Sequence, residues 1–129
     1  NSESNIEPIE DAQYINLSMS PDKMKMVFEV MGGNMFVVNT DGSNLIDLGK
    51  GNRPKWSSDS KKITYMIAED NGHEFTASDI YIINADGTGK INVTNTETVL
   101  EMSSSFSPDG KSIVFENYND GSIYLMNIE

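Results

Sequence analysis

The chain has 129 residues, which suits one domain or a short array of repeats. Nine Lys and Arg stand against twenty Asp and Glu, for a net charge of −11, a balance that argues against nucleic acid, whose phosphates need cationic neutralisation, and against docking on an anionic leaflet. The lack of cysteine excludes disulfides, thiolate nucleophiles and Cys-ligated metals, and no apolar run approaches the ~20 residues of a membrane span, so no membrane insertion is expected.

In chain order, the first apolar cluster is Ile6-Glu-Pro-Ile-Glu10. A strand is then predicted over Asn16–Ser20, and Met19-Ser-Pro-Asp-Lys-Met-Lys-Met-Val-Phe28 reads as a tight turn followed by a second strand. A third strand is predicted over Asn34–Asn39, a hairpin turn at Asp41-Gly42, and a fourth strand over Leu45–Leu48. The same order returns with Lys55–Ser57, the run after Trp56-Ser-Ser-Asp-Ser60, Asp79–Asn84, the Asp86-Gly87 turn and Ile91–Thr94. A third pass gives Ser103–Ser107, the run after Phe106-Ser-Pro-Asp-Gly110, and Ser122–Asn127, where the pattern stops one strand short. No window carries a helical i, i+3, i+4, i+7 stripe of useful length.

The chain is therefore a repeat of about four strands per unit, lettered A to D. Its opening residues Met19, Trp56 and Phe106 are spaced by 37 and 50 residues, the longer interval reflecting extra residues around Ile67–Ser78 and Asn95–Glu101. In Ser-Pro-Asp-Gly, Pro presets φ at the second turn position and Gly accepts the left-handed one. Lys23 and Ser60 stand where the third unit has Gly110, so those two turns should carry slight strain or take a different form. Asp22, Asp59 and Asp109 recur once per unit and read as turn caps.

The aromatic-Ser-Pro-Asp-Gly-Lys turn, the Ile-Val-Phe run and the Ile-Tyr-x-Met-Asn strand, with Asn-Ala-Asp-Gly beyond strand C, resemble the TolB-type β-propeller repeat from about Tyr14 onward. The resemblance implies an all-β propeller of four-stranded antiparallel blades, with a leading segment over 1–13, blade 1 over 14–50, blade 2 over 51–98 and blade 3 over 99–129. Propellers close with about four to eight blades, so a three-blade arc leaves its end faces open. Ile6 and Ile9 fall at the interval before Met19 that strand D occupies before the next unit. The expected assembly is thus a homodimeric six-bladed ring in which the leading strand of each chain completes blade 3 of its mate; the rival is a piece of a longer propeller. The resemblance further implies a periplasmic or extracellular setting in the bacterial envelope.

His73 is the only histidine and lies in the polar insertion Glu69-Asp-Asn-Gly-His-Glu-Phe75. This reads as a solvated loop tip; the sharper alternative gathers Glu69, Asp70, His73, Glu74 and Asp79 around a cation, though not with EF-hand spacing. Ser103-Ser-Ser105 lacks the Gly-x-Ser-x-Gly context of a nucleophile and reads as small packing near a channel. No catalytic residue, metal ligand set or cofactor is expected. Met19, Trp56 and Phe106 should wedge between blades, as should Phe28, Tyr65 and Phe115, and the eight methionines should fill the core unless some mark an adaptable surface. The expected function is a non-catalytic scaffold that binds a protein or small-molecule ligand through ring-face loops, with Arg53, Asp70, His73 and Glu74 as candidate contacts. The alternative is a carbohydrate-active lyase or hydrolase with a site shared between subunits.

Overall fold

A computed structural model of the chain describes residues 5–70, 72, 75–94 and 100–128, and among these there is no helix. Blade 1 is the antiparallel sheet β1(Tyr14–Met19), β2(Lys25–Val30), β3(Met35–Asn39) and β4(Ile46–Gly49), hydrogen-bonded in sequence order. Blade 2 repeats it with β5(Asn52–Trp56), β6(Lys62–Asp70), β7(Phe75–Asn84) and β8(Ile91–Asn92). Blade 3 has three described strands, β9(Glu101–Phe106), β10(Ser112–Asn117) and β11(Ile123–Asn127), with β11 at its outer edge. Of the extra residues around Ile67–Ser78, Ile67–Asp70 and Phe75–Ser78 are strand rather than loop, because β6 and β7 stay paired as far as Asp70 opposite Phe75.

Alternation along β2, β6 and β10 sends successive side chains to opposite faces, and both faces of a blade are apolar. Val27, Met35, Val37 and Leu48 of blade 1 meet Ile63, Tyr65 and Ile83 of blade 2 in one core. Met66, Ala68, Ile80 and Ile82 of blade 2 meet Leu100, Met102, Ile113 and Phe115 of blade 3 in a second. Trp56 packs against the first core and also donates its indole N–H to Ser18 O at 3.0 Å, while Phe106 packs against the second. The packing leaves no room at Gly51, where a Cβ would sit 2.8 Å from Tyr65 Cδ2 and 2.9 Å from Met35 Cε. Buried polar pairs stitch blade 2 to blade 3: Thr64 Oγ1 lies 2.9 Å from Ser104 Oγ, and Ser78 Oγ donates to Glu101 O at 2.8 Å.

The end faces are different. Val37, Ile82 and Leu125 hold the same place on strand C, paired with Val27, Thr64 and Val114. Their exposures are 0%, 4% and 72%, because among the described residues no sheet packs on that face of blade 3. Met19, equivalent to Trp56 and Phe106, is exposed for the same reason, since among the described residues no sheet packs against it on the side that blade 1 offers Trp56. Met24 and Met31 are likewise exposed, so the methionines do not all fill the core as the sequence suggests; Met35, Met66 and Met102 do. Ile6–Ile9 forms no strand in the single chain. The Ile9 N–H donates to Tyr14 Oη at 3.1 Å and Tyr14 donates back to Ile9 O at 2.7 Å, and Ile6 and Pro8 line a shallow apolar groove with Tyr14, Leu17, Met26 and Phe28.

Each A–B turn is held by one serine and one aspartate. Ser20, Ser57 and Ser107 donate to Asp22, Asp59 and Asp109 at 2.6 Å, and each Asp accepts the amide two residues on. The C–D turns use the same aspartate device, with Asp41 and Asp86 accepting the amides of Ser43 and Thr88. Adjacent turns are joined: the Asp22 amide donates to Ser60 Oγ at 3.0 Å, and Ser58 donates to Pro108 O at 2.6 Å. The fourth turn position is left-handed in all three units, with φ of 65° at Lys23, 64° at Ser60 and 73° at Gly110.

Two outcomes follow from these turns. First, Lys23→Gly should raise stability by about 0.5 kcal/mol and Gly110→Ala should lower it by about 1 kcal/mol, since open space surrounds Gly110 and only φ opposes the methyl; urea titration reads both. Second, the serine or threonine hydroxyl and then a backbone amide hold Asp22, Asp41, Asp59, Asp86, Asp109 and Asp120 below the usual value of 3.8. Folded values depressed below unfolded ones supply stability that is complete above the unfolded pKa and lost as pH falls through the folded pKa. The chain should therefore hold its stability down to about pH 4 and unfold progressively below it, with the acid midpoint of Ser107→Ala displaced upward in a circular-dichroism titration.

Candidate binding cleft on the inner strands

Strands β1, β5 and β9 are the innermost of their blades, and each carries a register shift against its neighbour. The shift falls at Asn16, Arg53 and Ser103, each three residues before the opening apolar residue of its unit. All three are left-handed, with φ of 52°, 52° and 57°. A bulge of this kind re-aims a side chain out of the normal alternation. Here it turns three equivalent side chains into one cleft of about 450 Å³, whose wall includes Leu17, Pro54 and Lys55.

Asparagine tolerates the left-handed region because its short amide bonds locally, whereas arginine has no such compensation. The Arg53 backbone is instead held from behind by Glu29. The Glu29 side chain is buried between blades 1 and 2, and Oε2 accepts the Arg53 amide at 3.0 Å while Oε1 accepts Asn52 Nδ2 at 2.8 Å. Asn16 Nδ2 donates to Oε2 as well. One carboxylate thus fixes two of the three bulges. The Arg53 guanidinium reaches the other way, across to blade 3, where Nη1 donates to Ser103 Oγ at 2.8 Å.

Of the four candidate contacts that the sequence suggests, Arg53 lies within β5 rather than in a face loop, because the strand begins at Asn52. Asp70 closes β6 opposite Phe75; His73 and Glu74 lie outside the described residues. Asp79, a member of the alternative cation cluster, accepts Asn92 Nδ2 at 2.9 Å and so ties β7 to β8, two strands away from the inner wall. Asn16 and Ser103 emerge as neighbours of Arg53 only in three dimensions, and Lys55 joins them from two residues further along β5. The signal that could have found them is the repeat itself, since Asn16, Arg53 and Ser103 align once the units are superposed. Tyr65 is the other perturbed group: burial pushes its hydroxyl up to about 12, and the group sits in the inter-blade core away from the cleft.

The chain matches no protein-family model and no curated protein sequence. It does superpose on solved structures. A TolB structure from Agrobacterium tumefaciens is 15% identical with a TM-score of 0.65, over 94% of this chain and 48% of that one. The β-propeller domain of the Trilobed protease from Pyrococcus furiosus is 12% identical with a TM-score of 0.68, over 90% of this chain and 39% of that one. A puromycin-hydrolysing peptidase from Mycobacterium tuberculosis is 12% identical with a TM-score of 0.72, over 92% of this chain and 21% of that one. These likenesses show that the fold is a β-propeller, and this chain spans less than half the length of each.

Glu29→Gln places an amide NH2 against at least one of its three donors, so it should destabilise the chain by about 2 kcal/mol. Glu116→Gln, the equivalent position on blade 3, should cost far less, because it faces no following blade. Paired urea titrations check the difference.

Proposed function

We propose that the chain is a non-catalytic propeller scaffold of the TolB-like kind, closed into a six-bladed ring by a second copy of itself and presenting its inner strands and face loops to a ligand. The observation that carries this reading is the mismatch at the ends. Leu125 and Ile123 are 72% and 81% exposed, whereas the residues at their places in the other blades, Val37 and Ile82, Met35 and Ile80, are sealed by the next blade. The opposite type of face carries Met26, Phe28 and Phe36, and on blade 1 no described blade packs against it: Phe28 is buried against the Tyr14 and Phe36 rings, while Met26 and Phe36 stay half-buried. One chain's blade 3 therefore complements another chain's blade 1, by continuation of the packing already present between blades.

The leading segment gives the exchange a second support. Ile6 and Ile9 stand at the sequence interval of a strand D, β11 offers the outer edge such a strand would pair with, and Pro8 is tolerable on an outermost strand. In the ring this segment leaves Tyr14 and joins β11 of the mate. A binding role is favoured over lyase or hydrolase chemistry because Arg53 is engaged with the neutral Ser103 hydroxyl, an arrangement suited to recognition. The TolB likeness carries a periplasmic or extracellular setting with it.

Sedimentation velocity should give a species of twice the 14.3 kDa chain mass. Leu125→Lys, at the exposed face, should return it to a single chain without loss of the β-sheet signal. A wild-type species that stays at the mass of one chain at working concentration removes ring closure by a second copy.

A further inference from the structure

Three of the chain's features converge on the inner-strand cleft and together specify what it takes. The first is charge. In a chain with twenty carboxylates and nine cations, the cleft wall holds Arg53 and Lys55 and no acid. Among the described residues, the guanidinium of Arg53 makes one hydrogen bond, to Ser103, and the Lys55 side chain is exposed. The nearest carboxylate by contact is Glu29, and its two oxygens are occupied by Asn16, Asn52 and the Arg53 amide behind the wall.

The second feature is placement. Arg53 is the only arginine of the chain, and it stands in a left-handed conformation that a long side chain rarely adopts. The bulge is shared with Asn16 and Ser103 and so belongs to the blade; the arginine is particular to blade 2. The third is the apolar part of the wall: Leu17 is 61% exposed at the cleft, beside the Pro54 ring. The volume of about 450 Å³ is that of a small-ligand pocket.

We infer that this cleft binds a carboxylate attached to a short aliphatic body. Arg53 engages the carboxylate through its planar fork, which matches two oxygens at once, and Lys55 adds a second positive charge. Leu17 and Pro54 receive the hydrocarbon, which inorganic phosphate lacks. A free branched acid and a peptide ending in an aliphatic residue present the same chemistry. The inference rests on the reading of the chain as a binding scaffold but not on ring closure, because every group named belongs to one chain.

The test is a ¹H–¹⁵N titration that follows the Arg53 side chain and the amides of Asn16, Lys55 and Ser103. Isovalerate should give saturable shifts and isovaleramide none. Arg53→Asn installs the residue that blade 1 carries at the same bulge, so it should fold, and Lys55→Gln keeps the stem; each should weaken isovalerate binding about tenfold or more while leaving the sedimentation behaviour unchanged. A tetrapeptide ending in free Leu should bind more tightly than its amidated form if the source is a chain terminus, and less tightly than isovalerate if the source is a free acid. Equal shifts from acid and amide, tighter binding of inorganic phosphate than of isovalerate, or wild-type affinity in Arg53→Asn would each overturn the inference.

Discussion

A sheet that is apolar on both faces has to be covered twice, and that constraint organises this chain. A β-sandwich meets it with one dry face per sheet; here Val27 and Val37 look one way along blade 1 while Phe28 and Phe36 look the other. Stacking three such sheets seals two interfaces, each with its own core. It also leaves the outward faces of blades 1 and 3 without a covering sheet among the described residues, bare at Ile123 and Leu125 on blade 3 and lined by Ile6, Pro8 and Tyr14 over Phe28 on blade 1. Full burial of a side chain such as Leu125 or Ile123 is worth roughly 2 kcal/mol, so closing an end face outweighs any single turn or cap in the structure.

The turns matter for a different reason, because they set the angle at which one sheet follows the next. The Ser–Asp pair fixes each A–B turn locally, and the Asp22–Ser60 and Ser58–Pro108 bonds then tie turn to turn. Ser60 serves the second purpose, which accounts for a serine at a left-handed position where glycine would be easier: its Oγ accepts the Asp22 amide. Lys23 has no such role in the same position, and there the strain stands without compensation.

Much of this was legible in the sequence. Asp-Gly and Ser-Pro-Asp-Gly turns, strand-length apolar runs and in-order repetition gave the strand order and the open third blade, because those signals act over a few residues. What was not legible depended on contacts between units. Phe106 and Trp56 are covered whereas Met19 is exposed, although all three hold the same place in the repeat; the difference is only whether a blade precedes them. Arg53 read as a loop residue because the inner strand of blade 2 was expected to begin only at Lys55, and the bulge that keeps it in β5 depends on Glu29, 24 residues earlier. The extra residues of blade 2 read as loop, yet Ile67 and Ala68 continue β6, with Ile67 packed against one core and Ala68 part of the other.

Those same inter-blade contacts separate framework from function. The bulge on each inner strand is a backbone feature, repeated at Asn16, Arg53 and Ser103 with nearly one φ value. Its side chain is consequently free of packing duty and points into a common space. An Asn there bonds back to Glu29, a Ser accepts a bond from its neighbour, and an Arg projects charge. Because charges in water are screened beyond about 8–10 Å, the carboxylates that give the chain its −11 contribute little to the potential inside the cleft wherever they lie farther away than that. Close approach to the cleft is governed by the residue that a single bulge happens to present. On the proposed reading of the cleft as a binding site, a propeller built this way would change what it recognises by one inner-strand substitution per blade, without disturbing the sheets that hold the position in place.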